Sequence, residues 1–306
     1  MLTIKSSWVT SQVTILFSLS VSLSLSHTHT HTHTMNKHLQ TLLLLHLLHL
    51  ILCFQTTFST HFVFNGFDRS DISLYGNATV DSGILTLTNA SAFSIGRALY
   101  PSKILTKDPN QPNYPTQVVP FNTSFVFSIA PDLKSFLPGH GFVFLFVPFT
   151  GIQGASPDHF LGFLNGTNNG DPNNHVFGIE FDVFKNQEFG DISDNHVGIN
   201  VNSLTSTSAH QAGYWPDNDK SFKELKLNNG KKYQVWMEYT GFSLRVTMAP
   251  VSMKRPKRPL LHVPLHLPHV CKDEMYVGFT ASTGHLAESH KIFSWSFSTF
   301  RIFSKL

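Results

Sequence analysis

Apolar and polar residues alternate over many short segments from residue 61 onward, which is the pattern of half-buried β-strands. Residues 142–147 are apolar throughout, as expected for a strand that is buried on both faces. No segment after residue 60 repeats apolar positions at helical spacing for more than about two turns. The predicted strands span residues 84–88, 121–129, 142–147, 176–184, 196–201, 233–239, 244–248, 275–281 and 292–297. Short strands separated by Gly, Pro and Asn turns predict one all-β domain, either a sandwich or a jelly roll.

Composition narrows the class of protein further. The chain has 306 residues, of which 13% are aromatic and 13% are charged, including 28 Phe. Ordinary soluble domains are about 25% charged, so this chain is unusually poor in charged residues, and together with its many aromatic residues this excludes a coiled coil and a disordered chain. A net charge of +3 gives no support to a nucleic-acid partner. Two Cys are too few for the disulfide framework of a small secreted protein.

The first 34 residues differ from the rest of the chain. They end in a Ser-Leu repeat that is followed by a His-Thr repeat at residues 27–34. A CT dinucleotide repeat encodes the first pattern and a CA repeat encodes the second. We therefore interpret residues 1–34 as translated upstream DNA rather than as a His-rich metal-binding tract.

A secretory signal is predicted at residues 35–60. A short basic segment begins at Met35 and is followed by an apolar segment at residues 39–54 and a polar segment before the domain. The apolar segment has about 16 residues, interrupted by His46 and His49, whereas a membrane span needs about 20. We therefore expect a cleaved signal peptide, no membrane span in this chain, and secretion to the extracellular space.

Secretion gives meaning to the glycosylation sequons. Cleavage would remove Cys53 and leave Cys271 as the one thiol of the mature chain. The pattern N-x-[ST] occurs at Asn77, Asn89, Asn122 and Asn165. We therefore predict a glycosylated extracellular domain at residues 61–300, followed by a short tail at 301–306.

Residues 180–196 contain a cluster of groups that bind metals. Glu180 and Asp182 are two positions apart on a predicted strand, so both side chains project from the same face. Two neighbouring carboxylates in an apolar strand repel each other unless a cation holds them. Asn186 and Asp191 follow in the loop, and His196 begins the next predicted strand.

These groups divide between two kinds of ion. Ca²⁺ prefers oxygen ligands, which are available from Asp182, the Phe184 carbonyl, Asn186 and Asp191. Mn²⁺ or a similar transition metal also accepts imidazole, and its candidate ligands are Glu180, Asp182, Asp191 and His196. One such residue alone would indicate an ordinary polar loop, but the combination predicts a metal site.

The metal-binding segment, residues 180–203, carries E-F-D-V-F-x-N, G-D, H-V-G-I and V-N-S and resembles the corresponding region of the legume (L-type) lectins. Further motifs resemble the extracellular domain of plant L-type lectin receptor kinases, and they lie at residues 62–67, 190–198, 212–216, 233–236, 253–256, 282–284 and 294–297. The resemblance covers roughly residues 61–299. It implies a concanavalin-like jelly-roll β-sandwich in which Ca²⁺ and Mn²⁺ lie beneath a shallow carbohydrate site.

The resemblance also implies positions for sugar contacts. Phe184 matches the family's aromatic residue and Asn186 matches its calcium-bound Asn. His140 stands where the family has a sugar-accepting Asp, and His159 belongs to a loop, Asp158-His159, where the lectins have a glycine pair. The last loop contributes Ala287 and Glu288 as further candidate contacts.

The replacement of Asp by His140 changes the expected ligand. A carboxylate accepts hydroxyl hydrogen bonds through two charged oxygens, whereas neutral imidazole accepts one. We therefore expect the metal site to be retained and binding of simple sugars to be weakened. A larger cell-wall glycan, a glycoconjugate and a non-sugar ligand remain open, as does a homodimer.

Two other functions compete with a lectin. Jelly-roll glycoside hydrolases carry E-x-D-x-E or E-x-D-x-x-E, but Phe184 and Lys185 occupy the positions of the second Glu, so we expect no enzymatic activity. The other alternative is a receptor ectodomain or decoy that binds no sugar. The sequence has no kinase motifs. A plasma-membrane location would apply if the native gene product were a full-length receptor with a role in cell-surface signalling or defence.

Overall fold

The computed structural model describes residues 60–107, 118–131 and 139–300. The chain divides into two compact units between Thr56 and Thr57, and the described residues belong to the second. The predicted repeat, nearly all of the predicted signal peptide and the tail at residues 301–306 lie outside the described residues.

The described residues form 18 β-strands and three short 3-10 turns. In chain order, the strands are β1 His61–Phe64, β2 Ser73–Gly76, β3 Thr79–Asp81, β4 Ile84–Thr88, β5 Ile95–Leu99, β6 Ile104–Leu105, β7 Phe121–Pro131, β8 Gly141–Val147, β9 Phe177–Asp182, β10 His196–Val201, β11 Ser208–Gln211, β12 Gly213–Tyr214, β13 Lys223–Glu224, β14 Tyr233–Tyr239, β15 Ser243–Pro250, β16 Leu261–Pro264, β17 Glu274–Ser282 and β18 Glu288–Thr299. The 3-10 turns are Asp158–Phe160, Pro172–Asn174 and Gln187–Phe189. No helix in this part of the chain is long and apolar enough to cross a membrane.

Two antiparallel sheets of eight strands each form the sandwich. The back sheet has the order β16-β15-β14-β7-β18-β4-β3, and β1 also pairs with β18. The front sheet has the order β11-β10-β9-β8-β17-β5-β2, and β6 also pairs with β17. A separate ribbon is formed by β12 and β13. The predicted all-β jelly-roll sandwich is confirmed.

Strand β8 shows how the sequence fills both sides of the front sheet. Its phenylalanines enter the core between the sheets, and they are Phe142, Phe144 and Phe146. Its aliphatic residues join a second apolar cluster under the loop that follows β8, and they are Val143, Leu145 and Val147. The strand therefore has no solvent-facing side, which explains its continuously apolar sequence.

The end of β9 differs from the prediction in a way that shapes the site. We predicted a strand over residues 176–184, but β9 ends at Asp182. The backbone N–H of Phe184 donates to Asp182 Oδ1 at 2.7 Å, and this local turn draws the chain out of the sheet. Phe184 therefore lies in the loop, where its side chain is half-buried.

Candidate functional site

The strand registers bring the predicted site residues to one end of the front sheet. Gly141 at the start of β8 pairs with Asp182 at the end of β9 and with Ser282 at the end of β17. His196 at the start of β10 pairs with Asp182 from the other side. The loops that begin or end at these four positions therefore meet at the same edge.

Glu180 lies on the outer face of the front sheet, inside a closed set of polar partners. Its carboxylate accepts hydrogen bonds from Asn200 Nδ2 at 2.5 Å and from Ser206 Oγ at 2.6 Å, and it lies 3.2 Å from His196 Nε2. Gly198 is the cross-strand neighbour of Glu180. A Cβ at Gly198 would overlap the Glu180 carboxylate and Ser206 Oγ, so only glycine leaves room for this arrangement.

The loop after β9 is closed by Asp191 and Asn186. The backbone N–H of Asn186 donates to Asp191 Oδ2 at 2.6 Å, and the Asn186 carbonyl accepts the backbone N–H of Asp191 at 3.2 Å. Gly190 completes the turn with a φ of +77°, a conformation that glycine adopts without strain. These bonds fold Asp191 back towards β9 and β10, where its Oδ1 lies 3.9 Å from His196 Nε2.

The electrostatics of this cluster favour a bound cation. Burial raises the pKa of Asp182 well above its ordinary value, and the neighbouring charge of Glu180 raises it further. Burial also raises the pKa of Asp191, to about 6. His196 is the one base that pairs with these acids among the described residues. Burial lowers its pKa, but the hydrogen bond that His196 Nε2 donates to Glu180 and the charges of Glu180 and Asp191 outweigh burial and raise it.

Three of the four predicted transition-metal ligands come together, and Asp182 is not part of that group. Glu180, Asp191 and His196 each offer a ligand atom, and the three atoms lie within 4.8 Å of one another. Asn186 is buried, and its Oδ1 has no hydrogen-bond partner among the described residues. A buried carbonyl oxygen without a partner is costly, and a cation would satisfy it.

His140 and Phe184 lie together where the loops before β8 and after β9 meet; His140 is 7% exposed and Phe184 is half-buried. The His140 carbonyl accepts the backbone N–H of Val183 at 3.0 Å, which fixes the two loops together. The rings of His140 and Phe184 are 5.0 Å apart. His140 Nε2 also contacts Asp158 Oδ1 as a close ion pair or hydrogen bond. Burial lowers the pKa of His140, although the charge of Asp158 opposes this shift.

Asp158 is a site residue whose importance the sequence did not reveal. Its side chain is 34% exposed, and it comes from the 3-10 turn after β8. Its φ of +66° is unusual for a residue other than glycine. Two hydrogen bonds hold that conformation: Asp158 N donates to the Thr283 carbonyl at 3.1 Å, and Ser282 Oγ donates to the Asp158 carbonyl at 2.8 Å. The one indication of its role in the sequence was that Asp158-His159 stands where the family resemblance implies a glycine pair.

The other three predicted sugar contacts, His159, Ala287 and Glu288, differ in how exposed they are. His159 is partly exposed and its ring lies 4.2 Å from that of Phe160, beside the site. Ala287 is 8% exposed. Glu288 has no exposed surface. Its carboxylate accepts the Gly139 N–H at 2.9 Å and lies 2.9 Å from His290 Nε2. The structure therefore places Glu288 beneath the loop of His140, and a direct contact to a sugar is not retained for it.

Phe93 is a second residue that sequence reasoning missed. It is 51% exposed, and its backbone N–H donates to the Gly284 carbonyl at 3.0 Å. Its ring lies 4.7 Å from that of His285. An exposed aromatic ring at this edge offers apolar surface beside the loops of the candidate site. A lone Phe in a polar loop gave no pattern that could have identified it.

The comparisons with known proteins agree with this architecture. The legume lectin domain matches residues 59–304 of the chain. The L-type lectin-domain containing receptor kinase VII.1 of Arabidopsis thaliana is 55% identical over 258 residues, which are 83% of this chain and 37% of that protein. A lectin-like protein of Arabidopsis thaliana is 44% identical over 223 residues, which are 71% of this chain and 80% of that protein. The solved structure of peanut lectin with a nine-residue peptide has a TM-score of 0.66 and 27% identity, covering 80% of this chain and 99% of the lectin.

A β-sandwich with polar loops gathered at one edge, matched over nearly all its length, defines a carbohydrate-binding domain of the lectin class. The chain belongs to the legume lectin family. It spans about a third of the length of the receptor kinase that it resembles.

Proposed function

We propose that this protein is a secreted, metal-stabilised lectin domain that binds a glycan or glycoconjugate outside the cell. Binding takes place where His140, Asp158, Phe184 and Asn186 meet; Asp158 and Phe184 are the partly exposed members of this site, and His140 and Asn186 are its buried members. The Phe184 ring supplies an apolar contact for the face of a sugar ring. The Asn186 amide donates to a hydroxyl while its oxygen faces a metal.

The buried Asn186 Oδ1 without a partner is the observation that supports this proposal most strongly. It lies in the loop that also carries Phe184 and Asp191, so an ion held there would fix the position of the sugar-contacting residues. Ca²⁺ would be held by Asp182, the Phe184 carbonyl, Asn186 and Asp191, and Mn²⁺ by Glu180, Asp182, Asp191 and His196. The metals would supply charge compensation for the acids and rigidity for the loop.

The ligand is expected to differ from a simple sugar that needs a carboxylate at position 140. Asp158 supplies a carboxylate on the adjacent loop, and Phe93 extends the apolar surface. An extended glycan or glycoconjugate suits this wider arrangement better than one sugar. A role in cell-surface recognition or defence in plants follows if residues 35–60 act as a secretory signal.

Binding without catalysis is the expected activity. Glycoside hydrolysis needs two carboxyl groups that flank the scissile bond. Glu180 is 2% exposed and Asp182 is 3% exposed, so both acids are buried beneath the surface. Incubation with a panel of β-glucans tests this point, and released products would contradict it.

A glycan array tests the proposed function. The secreted wild-type protein is applied in Ca²⁺ and Mn²⁺ and again after both ions have been removed. We expect specific binding only with the metals, loss of binding in Asn186→Ala, and no loss in the control Asn218→Ala, which changes an exposed Asn away from the site. Binding that is unchanged without metal, or no binding to any glycan, would contradict the proposal.

A further inference from the structure

A groove crosses the outer face of the back sheet, on the side away from the core. It has a volume of about 220 Å³ and includes Asn122, Trp236 and the Arg255–Glu238 ion pair among its lining residues. The outer face of a sheet in a sandwich usually meets solvent. A groove with an aromatic wall on this face is therefore a candidate binding surface.

The strand registers place Asn122 at the centre of this groove. Asn122 pairs with Glu238 on β14 and with Ser298 on β18. Trp236 pairs with Ser124, two residues along the same face of β7. Diagonal neighbours of this kind are roughly 7 to 8 Å apart, within reach of long side chains. The floor consists of small residues, which leaves the space open: Ser124, Ser296 and Ser298.

Asn122 is the one sequon Asn that lies on a strand of the described sheets, although Asn77 is equally exposed and likewise makes no side-chain hydrogen bond to a described residue. Asn122 is exposed, lies on a strand, and its side chain makes no hydrogen bond to any described residue. Asn165, by contrast, is half-buried, and its Oδ1 accepts the Thr167 N–H, the Thr167 hydroxyl and the Asn168 N–H at 2.7 to 3.0 Å. Because the Asn122 side chain is exposed, its Nδ2 is accessible and can carry a substituent that lies along the sheet.

The hollow beside Asn122 has the chemistry that binds a sugar ring. Trp236 is half-buried and offers an apolar ring to the C–H groups of a pyranose. Arg255 Nη1 donates to Glu238 Oε1 at 2.7 Å, and the remaining guanidinium N–H groups and the free carboxylate oxygen can bond hydroxyl or acetamide groups.

We infer that Asn122 is N-glycosylated and that its first N-acetylglucosamine lies in this groove against Trp236. The inference rests on the secretory route in the proposed function. In the transfer, Nδ2 forms a bond to the anomeric carbon of a lipid-pyrophosphate-linked oligosaccharide. The bond from that carbon to the pyrophosphate oxygen breaks, and the amide proton leaves with the lipid pyrophosphate. The glycan then covers the exposed face of the back sheet and keeps a second copy from packing there.

Glycopeptide mass spectrometry and hydroxyl-radical footprinting of Trp236 test the inference. The full chain is secreted from cells whose glycans are kept in the high-mannose form. One sample is trimmed to a single N-acetylglucosamine at each site, and another has its glycans removed completely. We expect Asn122 to be occupied, and we expect Trp236 to be labelled severalfold faster after complete removal than after trimming. Trp215 is the internal reference.

In the variant Asn122→Gln, Trp236 should be labelled as fast as in the fully deglycosylated protein. This variant also avoids the negative charge that enzymatic removal of the glycan leaves at residue 122. Asn77→Gln is the matched control and should leave the labelling of Trp236 unchanged. The inference would be overturned if other sequons carried glycans while Asn122 did not, or if Trp236 were labelled equally fast in the trimmed and deglycosylated samples. Either result would leave the proposed secretory route intact. No glycan on any sequon would overturn the secretory route as well. If Trp236 stayed protected without glycan and the protection grew with protein concentration, a second copy of the chain would be covering this face. That result would also overturn the inference.

Discussion

At the scale of single residues, the site depends on a few polar groups whose partners come from distant parts of the sequence. His140 and Asp158 form one unit, although they belong to different loops. The replacement of the family's Asp by His140 is therefore matched by a carboxylate on the neighbouring loop. The identity of residue 140 cannot be judged without residue 158.

This pairing predicts the outcome of restoring Asp at position 140. His140→Asp alone should weaken glycan binding, because two carboxylates would then face each other. The double variant with Asp158→Gly should bind simple sugars more tightly, since glycine suits the φ of +66° and the new carboxylate is free to accept hydroxyls. A charge-assisted hydrogen bond contributes about 1.5 to 3 kcal/mol, which is roughly ten- to a hundredfold in Kd. Calorimetric titration with simple sugars measures the effect, and tighter binding by the single variant would contradict it.

The buried acids also predict how the metal-free protein responds to pH. The pKa of Asp191 is about 6 in the folded state, above the ordinary value of about 3.9. The folded protein therefore holds this proton more firmly, so the stability contribution is present below about pH 4 and is lost as the pH rises through 6. The raised pKa of His196 acts in the same direction.

We therefore expect the melting temperature of the metal-stripped protein to fall as the pH rises from about 4 to 7. Scanning calorimetry across this range measures the fall, which should be smaller in Asp191→Asn. The control Asp81→Asn changes an exposed Asp and should behave as the wild type does. A melting temperature that rises over the whole range would contradict this assignment.

At the scale of elements, the sequence predicted strong alternating strands well and polar or short strands poorly. The predicted strands at residues 84–88, 196–201 and 233–239 match β4, β10 and β14 at both ends. Strand β5 was missed, because Gly96, Arg97 and Ala98 have little preference for strands. Tertiary contacts fix β5 instead, since it pairs with β17 on one side and β2 on the other.

Arg97 on β5 predicts a link between this strand and the site. Its side chain is 1% exposed and donates to the carbonyls of Gly151 at 2.8 Å and Gly162 at 2.7 Å, on either side of the turn that carries Asp158. Burial lowers the pKa of Arg97 to about 10, so the group remains charged. The Gly162 carbonyl also accepts from Thr280 Oγ1 at 2.9 Å, so only the Gly151 carbonyl loses its partner among the described residues in Arg97→Met. The variant should therefore lower the free energy of unfolding by about 1 to 3 kcal/mol.

Urea unfolding monitored by fluorescence measures this loss. Arg69→Met changes an exposed Arg and is the matched control. An Arg97→Met variant as stable as the wild type would show that the Gly151 carbonyl finds another partner.

At the scale of the whole molecule, the fold class and the grouping of acidic and imidazole side chains after β9 could be predicted from the sequence, but the surface that surrounds them could not. Glu180 and Asp182 lie two apart on a strand, so local spacing was enough to place them on one face. The contacts of Asp158, Phe93 and Glu288 depend on loops that meet only after both sheets have formed. Periodicity carries no information about such contacts.

The central claim is that metal ions complete the site at the edge of the front sheet. Calorimetric titration of Mn²⁺ and Ca²⁺ into the metal-stripped protein tests it most directly. We predict saturable binding of both ions, loss of Mn²⁺ binding in Glu180→Gln, and wild-type binding in the control Glu274→Gln, an exposed Glu on β17. No saturable binding by the wild-type protein, or unchanged Mn²⁺ binding in Glu180→Gln, would contradict the account.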